Sequence, residues 1–240
     1  MEVKKLAVIG ITALGVLTSC NDDLVSYGQG DMKIQVIKGD EWLHDFPLFL
    51  GIKQKNPPQI AIWVEDMEGN YITSIYASHK VATNSWQSNG GNKRKEALPV
   101  WNYARRVQAV DGVSGATPQA SVDGISGATP RGSFDVKVSP VDNLKQFVIK
   151  VELNHSTDWN DNYPKNAKEG DTNYSGGKEG SGQPAVVYAV EIDLNSSRKK
   201  YSATIVGHSS PDGSNGNIYP DTSSLTSALN IAKEITINIL

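Results

Sequence analysis

Apolar and polar residues alternate along short stretches of this chain, and turn residues separate those stretches. Eight segments carry the pattern: Met32–Ile37, Ile60–Glu65, Tyr71–Tyr76, Ser133–Val138, Phe147–Asn154, Ala185–Asp193, Lys200–Gly207 and Glu234–Leu240. A period of two, rich in β-branched and aromatic residues, predicts β-strands. Ile60–Glu65 and Tyr71–Tyr76 flank Asp66-Met67-Glu68-Gly69-Asn70, which predicts a hairpin with glycine in its loop. Phe147–Leu153 and Val186–Ile192 each present one mostly apolar face, as central strands do. The 3.6-residue period is nearly absent, and short helices are predicted only at Leu98–Val107 and Leu225–Ala232. Strands without helices between them predict an all-β fold, an antiparallel two-sheet immunoglobulin-like sandwich of about eight strands. Two stretches break the pattern, Trp86–Lys95 and Ser156–Pro184. The second is rich in Asn, Asp, Gly and Lys, which predicts disorder over much of 165–184.

The first twenty residues have a different build. Lys4 and Lys5 precede an apolar run from Leu6 to Leu17. The run is shorter than the ~20 apolar residues that cross a bilayer, and it has the form of a secretory signal. It ends in Leu17-Thr18-Ser19-Cys20, which resembles the lipobox of bacterial lipoproteins. The resemblance implies cleavage before Cys20 and a lipid on its thiol. Two or more acyl chains hold a protein stably on a membrane. The expected organisation is a signal peptide at 1–19, a polar tether at 20–31 and a β-sandwich domain at 32–240. The expected location is the bacterial cell envelope, periplasmic or on the outer-membrane surface. Asn21-Asp22-Asp23 behind the cysteine resembles surface-export signals of some lipoproteins.

Composition narrows the class. Of 240 residues, 38% are hydrophobic and 20% charged, enough apolar material for a core. The net charge of −3 argues against nucleic-acid binding, which favours a basic face. Cys20 is the only cysteine, so neither an intrachain disulfide nor a cysteine-based zinc site forms.

Candidate chemistry lies in a tandem repeat. Asp111-Gly112-Val113-Ser114-Gly115-Ala116-Thr117-Pro118 returns twelve residues later as Asp123-Gly124-Ile125-Ser126-Gly127-Ala128-Thr129-Pro130. The copies differ only in Val for Ile. Gly and Ala leave the threonine hydroxyl unhindered and let another molecule approach the backbone closely. Backbone N–H groups in such a turn also receive phosphate oxygens.

Each copy has the form D-x-x-S-G-A-T. This resembles the covalent FMN attachment motif of extracytosolic flavoproteins, including the flavin subunits of the sodium-translocating NADH:quinone reductase. The resemblance implies that a flavin transferase moves FMN from FAD onto the threonine hydroxyl as a phosphoester. The acceptors are then Thr117 and Thr129. Asp111 and Asp123 take the acidic position, and Ser114, Gly115, Ala116, Ser126, Gly127 and Ala128 complete the two motifs, within an attachment loop at 109–132. One or two FMN per chain are expected. Twelve residues span at most about 40 Å, so two flavins would lie within reach of each other. Trp63-Val64-Glu65-Asp66, Gly69, Leu98-Pro99-Val100-Trp101 and Pro130-Arg131-Gly132 are together similar to an uncharacterised periplasmic domain family. That family is encoded near flavin transferases and PepSY-type membrane proteins, and the similarity spans roughly 57–155. It implies a PepSY-type or quinol-linked membrane redox partner.

Other constellations give bland expectations. His44, His79, His155 and His208 are scattered and form no zinc-hydrolase motif. No G-x-S-x-G elbow supports a serine hydrolase. The Asp212–Asn217 loop lacks the distal glutamate of a calcium loop and reads as a turn. Asp158, Asp161 and Asp171 give a weak cation signal. No metal ligand set and no catalytic residue is therefore named. Trp86, Trp101, Tyr103 and Trp159 are expected in the core or as loop anchors, with flavin stacking the alternative. Lys93-Arg94-Lys95 is expected as a solvated basic cluster, or facing an anionic partner. The sequence thus points to a lipid-anchored electron carrier with covalent FMN, rather than a stand-alone enzyme. The alternative is a non-redox surface lipoprotein whose sandwich binds a glycan or protein. A third option is a terminal reductase acting on its own substrate.

Overall fold

A computed structural model describes residues 24–83, 94–108 and 125–240. The leader at 1–19, Cys20, the first motif copy Asp111–Thr117 and Asp123 lie outside the described residues, as does Trp86. Among the described residues the chain forms β1 (Val25–Gly28), β2 (Met32–Lys38), β3 (His44–Pro47), β4 (Lys53–Asn56), β5 (Gln59–Glu65), β6 (Tyr71–Ser78), β7 (Ile125–Gly127), β8 (Phe134–Val138), β9 (Gln146–Asn154), β10 (Val186–Asp193), β11 (Lys200–Ser202), β12 (Thr204–His208) and β13 (Ala232–Ile239). Helices α1 (His79–Thr83) and α2 (Pro99–Gln108) join them.

Two sheets face each other, giving the all-β sandwich that the alternation predicts. One has the order β1-β8-β2-β13-β11 and the other β12-β10-β9-β5-β6-β7. Alternation decides which side chains meet between them. Met32, Ile34 and Val36 of β2, Phe134 and Val136 of β8, and Ile235 and Ile237 of β13 point inward from the first sheet. Ile60, Ile62 and Val64 of β5 and Phe147, Ile149, Val151 and Leu153 of β9 oppose them. Each such side chain, fully buried, is worth about 1.5–3 kcal/mol.

The six-stranded sheet is buried on its other face as well. Ala61, Trp63, Ala77, Ala185 and Val187 pack there against Val81 and Ala82 of α1 and Leu98, Val100 and Trp101 at the start of α2. Double-sided burial explains why Ile60–Glu65 reads as a nearly continuous apolar run. The β5–β6 hairpin forms as predicted. Asp66 accepts from the Glu68 and Asn70 backbone N–H groups at 3.0 and 2.8 Å, and Gly69 takes φ 87°.

Several expectations change. Residues 25–28, expected in the tether, form β1, whose backbone pairs in parallel with β8. β7 is also parallel, at the edge beside β6. Lys200–Gly207 divides into β11 and β12, which belong to different sheets. The helix at Leu98–Val107 forms as α2, and Leu225–Ala232 contains only a 3-10 turn at Ser227–Asn230.

The stretch 165–184, expected as disordered, is built into the fold. Asp158 N–H donates to the Ser181 carbonyl at 2.8 Å, and Gln183 N–H to the Asp158 carbonyl at 2.8 Å. Asn154 Nδ2 donates to the Gln183 carbonyl at 3.1 Å, and Ser181 Oγ to Asn154 Oδ1 at 2.7 Å. Ser175, Ser181 and Gln183 are buried. Polar side chains replace an apolar core in holding this loop.

Candidate functional site

β6 ends at Ser78, and the second motif copy runs alongside it. The register pairs Tyr76 with Ile125, Ala77 with Ser126 and Ser78 with Gly127. The chain then leaves the sheet edge through Ala128 and Thr129, clamped by three side chains. Tyr76 donates its hydroxyl to the Ala128 carbonyl at 3.2 Å. Ser78 Oγ lies 2.7 Å from Thr129 Oγ1. Trp42 Nε1 donates to the Pro130 carbonyl at 3.0 Å in the buried interior. Ser78 Oγ also accepts the Ile60 N–H at 2.8 Å, which ties the threonine to the start of β5.

Thr129 lines a cavity of about 780 Å³ at this end of the sandwich. That volume is within the 300–1,000 Å³ typical of small-molecule and cofactor sites. The β3–β4 hairpin supplies one wall with His44, Phe46, Gln54 and Asn56. Gln59, Ser78, His79 and Lys80 form a second, and Asn154, His155, Ser156 and Thr157 a third. Arg94, Arg131, Lys178 and Glu179 complete the rim. Among the described residues, four cationic side chains and one acidic one line the cavity, and Arg94 of the four is already paired with Glu96.

Arg94 corrects the expectation of a solvated cluster: its side chain is 8% exposed and pairs with Glu96 at 3.0 Å. It also donates to Ser156 Oγ, and to Ser181 Oγ at 2.9 Å. Arg131, one residue after the motif's proline, donates to the Lys55 carbonyl at 2.8 Å and so joins the motif to the hairpin.

Three of the four histidines that look scattered in sequence line this cavity. The rings of His44 and His155 lie 5.2 Å apart. His155 Nε2 is 2.9 Å from the Glu41 carbonyl. A carbonyl only accepts, so Nε2 carries the proton and Nδ1 presents a lone pair. Burial pushes His155 down to about 3 and keeps it neutral. His44 Nδ1 lies 3.9 Å from Asp158 Oδ1. Burial pushes Asp158 up, against the Ser227 hydroxyl that donates to it at 2.6 Å.

The wall carries unspent hydrogen-bonding capacity. Gln59 Oε1 and Thr157 Oγ1 line the cavity, are buried, and have no partner. Native proteins rarely leave such groups unpaired without a ligand, water or ion to satisfy them. Thr157 also has φ 62°, a conformation that β-branched residues avoid. Strain of this kind concentrates at ligand sites.

Of the aromatics named from sequence, Trp101, Tyr103 and Trp159 lie elsewhere. Trp101 is fully buried beneath α2. Tyr103 donates to the Ser214 carbonyl at 2.6 Å, and Trp159 packs beneath Lys165. Among the described residues, Phe46 is the one carbocyclic aromatic on the cavity wall, and its sequence context gave no sign of it. Sequence reasoning also missed Ser78, His44, His155 and Thr157. The one local signal was Arg131 in Pro130-Arg131-Gly132, next to the motif. Asp212 caps its own turn by accepting the Ser214 N–H at 3.0 Å. Among the described residues, no three His, Cys, Asp or Glu side chains gather as a metal would require.

The fold and cavity define a class: an all-β sandwich with a cation-rimmed cavity at one end of its six-stranded sheet. No protein-family model, curated protein or solved structure matches the chain.

Proposed function

We propose that this chain is a lipid-anchored, extracytosolic electron-transfer flavoprotein that carries FMN as a phosphoester of its motif threonines. One observation carries the proposal: Thr129, the acceptor of the second S-G-A-T, lines the 780 Å³ cavity. The residues present fit the group. Lys80, Arg131 and Lys178 offset the charge of a phosphodiester, while Arg94 is already paired with Glu96. Gln59 Oε1 and Thr157 Oγ1 offer unused partners to the polar edge of a flavin ring. Phe46, Pro47, Leu48 and Pro57 supply apolar surface. The Ser78 hydroxyl suits both states of Thr129, because it can donate to an ester oxygen as well as to a free hydroxyl.

When bound, FMN supplies one- and two-electron redox chemistry. The chain's own part would be to hold the phosphoester end, shield it from water with the β3–β4 hairpin and keep the His155 ring in the cavity wall neutral. Covalent attachment suits an envelope protein, since a dissociated flavin is lost from the cell. A flavin transferase matures the protein, and a PepSY-type or quinol-linked membrane protein exchanges electrons with it. Cys20 carries the lipid.

Intact-mass analysis after co-expression with a flavin transferase tests the proposal. One or two FMN-sized increments are expected, and yellow fluorescence stays with the band on a denaturing gel. A protein with no increment belongs instead to the non-redox binding class. Labelled lipid precursor enters the wild-type protein and not Cys20→Ala.

A further inference from the structure

The β3–β4 hairpin ends in Pro47-Leu48-Phe49-Leu50-Gly51-Ile52. Leu48 is 42% exposed, Leu50 89% and Ile52 54%. Exposed apolar side chains that stand singly are ordinary, whereas a cluster marks an interaction site. The tip does not need these side chains to form its turn, which closes through backbone: Leu48 N–H donates to the Ile52 carbonyl at 2.7 Å. Leu50 has φ 56°, a left-handed conformation that glycine or asparagine adopts more cheaply. An apolar side chain is therefore held out in solvent at a conformational cost. Behind it on β4, Lys53 and Lys55 are exposed and share the single carboxylate of Asp45, at 3.5 and 2.9 Å. One positive charge remains at the base of the tip.

The hairpin also sits at the end where the chain enters the sandwich. Val25 begins β1 and pairs with Phe134. Three residues before Phe134, Arg131 donates to the Lys55 carbonyl of the hairpin. Val25 is itself 45% exposed. Only four residues separate it from Cys20. A lipid on Cys20 therefore keeps β1 within about 17 Å of the bilayer surface.

We propose that the β3–β4 tip docks on the lipid bilayer, with Leu48, Leu50 and Ile52 entering the interface and the lysines at headgroup level. This rests on the lipid attachment proposed above. Pro47 and Leu48 line the cavity as well as the tip, so docking turns the cavity mouth toward the membrane. A reactant dissolved in the bilayer then reaches the cavity without crossing water. Apolar burial and attraction to anionic lipid add to the anchor.

The single native cysteine makes the test clean. Leu50→Cys is labelled with an environment-sensitive dye in the full-length lipidated protein and in the Cys20→Ala background. Met67→Cys, on the exposed β5–β6 turn, is the control. On phosphatidylethanolamine–phosphatidylglycerol vesicles the dye at 50 shifts to the blue and the dye at 67 does not. Leu50→Ser weakens vesicle partitioning of the Cys20→Ala protein about tenfold, from the apolar area lost. Aqueous emission at position 50 on vesicle-bound protein overturns docking. So does a shift that appears only when a membrane protein is added, which makes the tip a protein contact. Failure of the anchor shows separately, as an unmodified Cys20 thiol by mass. The Cys20→Ala arm then decides the tip alone.

Discussion

The outer face of the six-stranded sheet and the cavity at its end both bury polar side chains, and they treat them in opposite ways. Beneath α2, Glu152 accepts the Val100 and Trp101 N–H groups at 3.2 and 2.9 Å. Trp63 Nε1 donates to Glu65 at 2.7 Å, and Lys150 pairs with the same carboxylate at 2.7 Å. Trp101 Nε1 donates to Ser74 at 2.9 Å. Each of these side chains has a partner within the chain. At the cavity, Gln59 Oε1 and Thr157 Oγ1 are left over, and Thr157 is strained. Asp158 Oδ2, Trp159 Nε1 and Tyr188 Oη also lack partners away from the cavity, so what sets Gln59 and Thr157 apart is that they face open volume where a ligand or water reaches them.

The largest test of this contrast is chemical. Thr117→Ala with Thr129→Ala removes all covalent flavin by mass while the urea midpoint stays near wild type. Thr129→Ala alone leaves at most the increment on Thr117. An increment that survives the double substitution places the flavin elsewhere. Next comes Glu152→Ala, which strands two helix N–H donors and opens a void. It costs about 2–4 kcal/mol in urea denaturation, whether or not flavin is present.

The two regions also separate by pH. Burial lifts Glu152 to about 8 from 4.5, so between those values the folded chain holds the extra proton and stability falls as pH rises. His155 runs the other way. Burial lowers it to about 3 from 6.5, the unfolded chain holds the extra proton, and stability rises with pH across that window. The two slopes cancel where the windows overlap, so the urea midpoint passes through a broad maximum between about pH 4.5 and 6.5. Glu152→Gln flattens the alkaline limb and His155→Gln the acid limb. A pH profile unmoved by both removes the distinction. The smallest effect concerns the rim. Lys80 and Lys178 are exposed, so replacing both with alanine changes stability by less than about 0.5 kcal/mol. The same pair weakens binding of free FMN to the unmodified chain more than binding of riboflavin, measured by fluorescence titration.

Strands with an interior face were legible in the sequence, because burial on one side writes a period of two. β2, β9 and β13 show it plainly. β3 and β4 were not legible: His44-Asp45-Phe46-Pro47 contains a proline, and Lys53-Gln54-Lys55-Asn56 has no apolar residue. Both strands stand over the cavity, not the core, so no core pattern is imposed on them. The order of 156–184 was hidden for a related reason. Composition registers apolar content, and that loop is held by Asn154, Ser181 and Gln183 bonding to backbone. Within the site, the motif identified Thr129 directly. His44, His79 and His155 were invisible as a group, since they meet only when the hairpin folds over the ends of β6 and β9.

The parallel pairing of β7 bears on how Thr129 is reached. Ile125–Gly127 is a three-residue ladder at a sheet edge, with β6 on one side only. Short edge ladders open locally at a small fraction of the global unfolding free energy. The flavin transferase of the proposed function would therefore not need to intercept the nascent chain to reach Thr129. Under the attachment proposed above, finished protein would then be a substrate, with opening of this ladder and of the Ser78–Thr129 hydrogen bond widening the access that the cavity already gives.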